Sequence, residues 1–174
     1  MRILACISAL FLFLLVGCND QSEDEKNHEN TTATTTTVDE NAPINFVVIT
    51  TGATSGIKAD MTSIYKLDTQ QSWDEFWAQH SNNIQPAEAA PVIDFNKDMV
   101  VAIVDTDQPS SGYELTVEQL QAVDDKLYIF ATRKQPGAGC VNLGMISQPF
   151  VIIQVPQSDL IPELRLTTHT VACE

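Results

Sequence analysis

Residue types able to do chemistry occur in several places along this chain, and at each place the pattern is incomplete. Gly52-Ala53-Thr54-Ser55-Gly56 offers a hydroxyl among glycines, but the serine is misplaced for the Gly-x-Ser-x-Gly elbow that exposes a nucleophile at a strand-to-helix turn. We expect a flexible loop there. The same stretch fails as a phosphate cradle, because Gly56-Ile57-Lys58 lacks the glycine-lysine-hydroxyl ending. Asp105-Thr106-Asp107 and Asp124-Asp125 present carboxylates suited to a hard cation, yet neither is followed by the glycine and distal glutamate of a calcium loop. They read as turn residues. His28, His80 and His169 are scattered, which argues against a zinc centre. Folding could still bring two of the many acids together. As a sequence, however, the chain offers no catalytic constellation, metal site or cofactor motif, and the expectation is a protein that is not an enzyme.

The first eighteen residues are an address. Arg2 precedes an apolar run from Ile3 to Val16, about 14 residues against the roughly 20 that span a hydrocarbon core. Small residues follow, where a peptidase cuts. Leu15-Val16-Gly17-Cys18 resembles the lipobox of bacterial lipoproteins, which implies a signal peptide over 1–17 and lipidation (palmitate and its like) at Cys18. In Gram-negative lipoproteins an aspartate after that cysteine favours the inner membrane; here Asn19 follows, so the outer membrane is expected if the cell is Gram-negative. Residues 18–43 are acidic and rich in threonine, with Val38 the only large apolar side chain, so they cannot bury enough surface to repay ordering. They read as a disordered tether.

Net charge is −14, from 23 acids against 9 bases. A chain this acidic has no basic stripe to neutralise phosphates, so nucleic acid is excluded as a partner and anionic lipid as an electrostatic one.

The remainder, 44–174, is long enough for one core. Phe46 to Ile49, Met99 to Val104, Tyr113 to Val117, Leu127 to Ala131 and Phe150 to Val155 read as strands, with Leu164 to Val171 as a last edge strand. The unbroken apolar run Met99 to Val104 predicts a strand covered on both faces. Trp73, Phe76, Trp77 and His80 fall at helical spacing behind Ser72-Trp73-Asp74-Glu75, which reads as a capping box with Ser72 as N-cap. The fold expected is mostly β (α+β), an antiparallel β-sandwich-like domain with one amphipathic helix on its N-terminal side. Cys140 and Cys173 are the thiols left once Cys6 and Cys18 are accounted for, and in an exported protein such a pair reads as a disulfide.

Residues 93–156 resemble the PrcB C-terminal domain family of bacterial envelope proteins, through Ile93 to Ala102, Gln108-Pro109-Ser110-Ser111-Gly112-Tyr113-Glu114-Leu115, Pro136-Gly137 and Pro149 to Pro156. Where the family has threonine-glycine-glycine-tyrosine, this chain has Ser110-Ser111-Gly112-Tyr113. The helix sequence Trp73 to Trp77 is similar to one that precedes these strands in relatives. That resemblance implies a non-catalytic binding or accessory role beside a protease complex. A fainter likeness joins Gln108 to Tyr113 and Pro136 to Gly139 to the loops of chagasin-type protease inhibitors, although their arginine-proline-tryptophan loop is missing. Both resemblances point to Pro109, Ser110, Ser111, Gly112, Tyr113, Gly137 and Gly139 as partner-binding residues; the alternative is that these are simply two turns. Three readings follow: an envelope-protein partner held as an accessory, a protease inhibited, or a small ligand bound or converted by an unrecognised site.

Overall fold

The most apolar run of the chain forms its central strand. Asp98–Val104 is paired on one side with Phe150–Pro156 and on the other with Ser63–Leu67, and a further strand, Val47–Gly52, lies beyond Phe150–Pro156. In chain order the strands are β1 (Val47–Gly52), β2 (Ser63–Leu67), β3 (Asp98–Val104), β4 (Glu114–Val123), β5 (Lys126–Pro136), β6 (Phe150–Pro156) and β7 (Ile161–Val171), with one helix, α1 (Gln70–His80), between β2 and β3. This computed structural model describes residues 43–84 and 88–172, all within the compact unit Thr37–Glu174. The expected signal peptide, the lipid site Cys18, the tether before Pro43 and Cys173 lie outside the described residues.

Three layers result. The first sheet has the order β1-β6-β3-β2 and the second β4-β5-β7. Alternation along β3 sends Met99, Val101 and Ile103 toward the second sheet, where they meet Leu115, Leu120, Leu127 and Ile129. Val100, Ala102 and Val104 point the other way, onto Trp73, Phe76 and Trp77 of α1. Every residue from Met99 to Val104 is fully buried, as a strand with both faces covered requires. β6 repeats the division, with Val151, Ile153 and Val155 in the sandwich and Phe150 and Ile152 under the helix.

The sequence-based reading holds for the β-rich class and for the buried aromatic face of α1, and it needs three corrections. First, the helix begins a turn earlier than Ser72. Thr69 is the N-cap; its side chain accepts the Ser72 amide at 3.2 Å while the Ser72 hydroxyl accepts the Thr69 amide at 3.3 Å. Glu75 is occupied elsewhere, accepting from the Gln71 amide group at 2.9 Å one helical turn away. Second, the sandwich is not wholly antiparallel. β7 runs parallel to β5 because the chain leaves the second sheet for β6 and returns, so two reversals cancel. Third, β2 had no apolar run to mark it: Ile64 packs toward the sandwich, Tyr65 and Leu67 toward the helix, and Lys66 reaches across to the carbonyls of Ser158 and Leu160. The Asp124-Asp125 turn closes the β4–β5 hairpin, with Asp124 at φ 54°, a conformation aspartate tolerates better than most residues.

Because the cap is Thr69, Thr69→Ala is expected to lower unfolding free energy by about 1 kcal/mol, an ordinary loss for an N-cap hydroxyl. Urea denaturation followed by far-ultraviolet circular dichroism measures this, and an unchanged midpoint would return the helix start to Ser72.

Candidate functional site

β4 and β5 are antiparallel neighbours, so the segment entering β4 and the segment leaving β5 meet at one end of the second sheet. The 108–113 loop therefore lies beside the chain leaving β5, but its hydrogen bonds go to residues 143–147 and not to the expected 137–139 turn. Gln108 and Ser147 exchange backbone hydrogen bonds at 2.7 and 3.1 Å. The Ser111 amide donates to the Leu143 carbonyl at 3.1 Å, and the Leu143 amide donates back to the Ser111 hydroxyl at 3.0 Å. Ser147 Oγ donates to the Ser110 carbonyl at 2.7 Å. Gly112 sits at φ 92° beside Asn142, whose side-chain oxygen would lie 2.9 Å from a Cβ; the left-handed backbone is what calls for glycine.

Beneath these loops lies a buried ion pair. Asp105, expected from sequence to be a turn residue, is wholly inaccessible to solvent. Arg133 of β5 grips it with two bonds of 2.6 Å, from Nε to one carboxylate oxygen and from a terminal nitrogen to the other. Thr62 Oγ1 donates to the same carboxylate at 2.7 Å and accepts from Arg133 at 2.8 Å. The Thr106 amide adds a bond at 2.9 Å, and the Asp105 amide itself donates to the Pro149 carbonyl. One carboxylate thus joins the approach to β2, strand β5 and the root of the 106–108 loop, while its own amide ties in the residue before β6.

The predicted residues divide into two kinds. Ser110 and Ser111 spend their groups on the neighbouring loop, Gly112 supplies a turn, and Pro109 is exposed at its edge. Tyr113 stands half-buried just before β4 rather than within it. Gly137 donates to the Val171 carbonyl at 2.9 Å, and Gly139 makes its turn at φ 93° in open space. Cys140 Sγ is 3.7 Å from that same Val171 carbonyl, two residues short of Cys173. What sequence reasoning missed is the face these residues carry. Val141, Leu143, Met145 and Ile146 are exposed at 101, 69, 58 and 70%. A signal did exist: from Gln135 to Ser158 there is no Asp, Glu, Lys or Arg, in a chain of net charge −14. An apolar group of this kind, on a segment bonded to the neighbouring loop at Leu143 and Ser147, suits contact with another apolar surface.

Residues 99–156 match the family model described as PrcB C-terminal. That segment, a third of the chain, is similar to PrcB C-terminal domains. The PrcB C-terminal match runs from β3 to β6 and so contains both loops, Asp105, Arg133 and the exposed apolar side chains. No curated protein and no solved structure gives a significant match to the chain.

One further polar pair lies against α1. Ser55 Oγ accepts the Ile57 amide at 3.2 Å and is 3.0 Å from His80 Nδ1. The Gly56 amide donates to the His80 carbonyl at 2.8 Å, so the 53–57 segment, expected to be a flexible loop, is tied to the end of the helix. Phe76 stacks on the imidazole, Trp77 tilts against it and Phe150 meets its edge at 4.4 Å. Burial there pushes the His80 pKa below its ordinary value.

An imidazole kept neutral in the fold but protonated below about pH 6.5 in the unfolded chain makes the unfolded state bind more protons. The stability it contributes is complete above that pH and is lost on acidification. Urea midpoints are expected to fall between pH 7.5 and 5 in the wild type and to fall less in His80→Gln. The carboxyls of Asp94 and Glu163, held below the usual range by hydrogen bonds from Lys97 and Lys126, act only in more acid solution. Equal pH dependence in both proteins would refute the role given to His80.

Proposed function

We propose that this chain is an exported lipoprotein, anchored by lipid on Cys18, whose folded unit is a non-catalytic accessory module holding an envelope protein, a protease complex in the first instance. The observation that carries the reading is the exposed set Val141, Leu143, Met145 and Ile146 on a loop fixed by Ser111 and Ser147. A rigid apolar ridge loses little conformational freedom on docking, which favours affinity. The PrcB C-terminal match supports a protease-complex association. Attachment to the envelope membrane, the outer one in a Gram-negative cell, raises effective concentration near a partner without requiring new contacts. Among the described residues no helix is long and apolar enough to cross a membrane, so in this reading the lipid is the anchor.

The alternative of a chagasin-like inhibitor needs the 108–113 loop itself to meet the protease. Ser110 and Ser111 are committed to Ser147 and Leu143, so the geometry favours the 141–146 ridge as the contact and the serines as its supports.

Cross-linking in intact cells with a C-terminally tagged chain tests the proposal. An envelope protein is expected to co-purify with the wild type and to be lost with Leu143→Asp/Met145→Asp. Each buried apolar side chain is worth roughly 1.5–3 kcal/mol, so the double variant should weaken binding at least about tenfold while keeping the wild-type circular dichroism spectrum. Equal recovery by both would remove the ridge from the interface, and a block of papain by the purified chain would move the reading to inhibition.

The same proposal includes a disulfide between Cys140 and Cys173, which would close the 137–140 turn onto the end of β7. Peptide mass spectrometry without reductant is expected to find the cross-linked pair, and reduction to lower stability by about 3–4 kcal/mol in the chain-entropy picture for a loop of about 34 residues. Two free thiols in protein taken from the envelope would discard it.

A further inference from the structure

A groove of about 470 Å³ lies between α1 and β2, within the size range of ligand sites. Its apolar wall is Ile57, Tyr65, Leu67 and Phe76, with the Tyr65 and Phe76 rings 5.2 Å apart. Ser72, Glu75 and Gln79 line the helix side at spacings of three and four, so one helix face supplies the polar rim. Lys58 stands on the opposite rim.

Lys58 is unlike the other cations. Among the described residues, Lys66 is held by two carbonyls, and Lys97, Lys126, Arg133, Lys134 and Arg165 are held by carboxylates. Lys58 alone is exposed with neither a hydrogen bond nor an ion pair. In a chain with 23 acids and 9 bases, an ammonium left unpaired at the rim of an aromatic groove is available to an anion from outside. Beside it β2 has a sheet neighbour on one side only, β3. One set of its alternating backbone N–H and C=O groups therefore has no partner in the sheet and can bond an added extended chain.

These features lead us to infer that the α1–β2 groove binds the C-terminal end of an extended apolar peptide, its carboxylate on Lys58, its backbone along β2 and its last side chain against Tyr65 and Phe76. Strand addition supplies the main-chain bonds, and the aromatic wall selects the side chain. Glu75, already accepting from Gln71, would repel a second carboxylate and so favours a ligand with a single negative end. The groove shares no residue with the 141–146 ridge, so either assignment can fail without the other.

The test is a titration of the isotopically labelled full chain, followed by amide chemical shifts, with the tripeptide Gly-Val-Phe, its C-terminal carboxamide and 3-phenylpropionate. The free tripeptide is expected to move the resonances of Lys58, Tyr65 and Leu67, to bind about tenfold more tightly than the carboxamide, and to lose that advantage in Lys58→Gln. Lys58 is exposed and makes no hydrogen bond or ion pair, so this variant should keep its circular dichroism spectrum. Equal binding of peptide and carboxamide, an unaltered preference in Lys58→Gln, or no shift up to millimolar peptide would overturn the inference. Binding of 3-phenylpropionate as tight as the tripeptide would overturn the peptide assignment, because the β2 edge would then contribute nothing.

Discussion

The loop end of this molecule depends on one ion pair, Asp105 with Arg133. Asp105 has no solvent contact and Arg133 little, so each would be costly to bury alone. The pair is tolerable because the carboxylate is met from several directions: two guanidinium nitrogens, the Thr62 hydroxyl and the Thr106 amide. Asp105 follows the end of β3 in the first sheet, and Arg133 lies on β5 in the second. Their bond therefore sets how the two sheets meet where the loops emerge. Removing either partner would leave a buried charge uncompensated, typically a loss of about 3–5 kcal/mol.

From that root the loops acquire rigidity by exchange of backbone bonds. Gln108 with Ser147 and Ser111 with Leu143 make a short pairing outside the sheets, and the serine hydroxyls close it. An apolar loop held only by its own chain would turn its side chains inward or wander. Here Leu143 and Ser147 are bonded to the 108–111 segment, and the side chains of Val141, Leu143, Met145 and Ile146 stand outside. The opposite face of the first sheet is organised differently: aromatic residues of α1 cover β3 and β6, and Trp73 and Trp77 donate from their ring nitrogens to the carbonyls of Pro91 and Glu88. Those bonds draw the 88–93 segment over the helix.

Much of this was legible in the residues themselves. Met99 to Val104 and Phe150 to Val155 announced buried strands because uninterrupted apolar runs have few other stable placements, and Trp73, Phe76, Trp77 and His80 announced a buried helix face by their spacing. The family resemblance was carried by the same segments, and the match over 99–156 coincides with them. Thr69 was not distinguishable from Ser72 as a cap, since both begin plausible capping patterns and the choice rests on what Glu75 does in space. β2 had only Ile64, Tyr65 and Leu67 to declare it, and two of them face the opposite side from the third.

What the sequence alone determined is what depends on composition and local period: the β-rich class, the aromatic helix face, the two turns flanking β4 and β5, and an uncharged stretch from Gln135 onward. What only the tertiary structure decided is which distant groups meet. Asp105 reads as a turn residue until Arg133, twenty-eight positions on, is seen to grip it. Ser55 and His80 are unremarkable until α1 brings them to 3.0 Å. Ser111 has no evident partner in the sequence until Leu143, thirty-two positions on, is seen to bond it. β7 runs parallel to β5 because of where β6 crosses. Each of these depends on long-range pairing, and a one-dimensional pattern records period and composition but not the partner on the far side of a sheet.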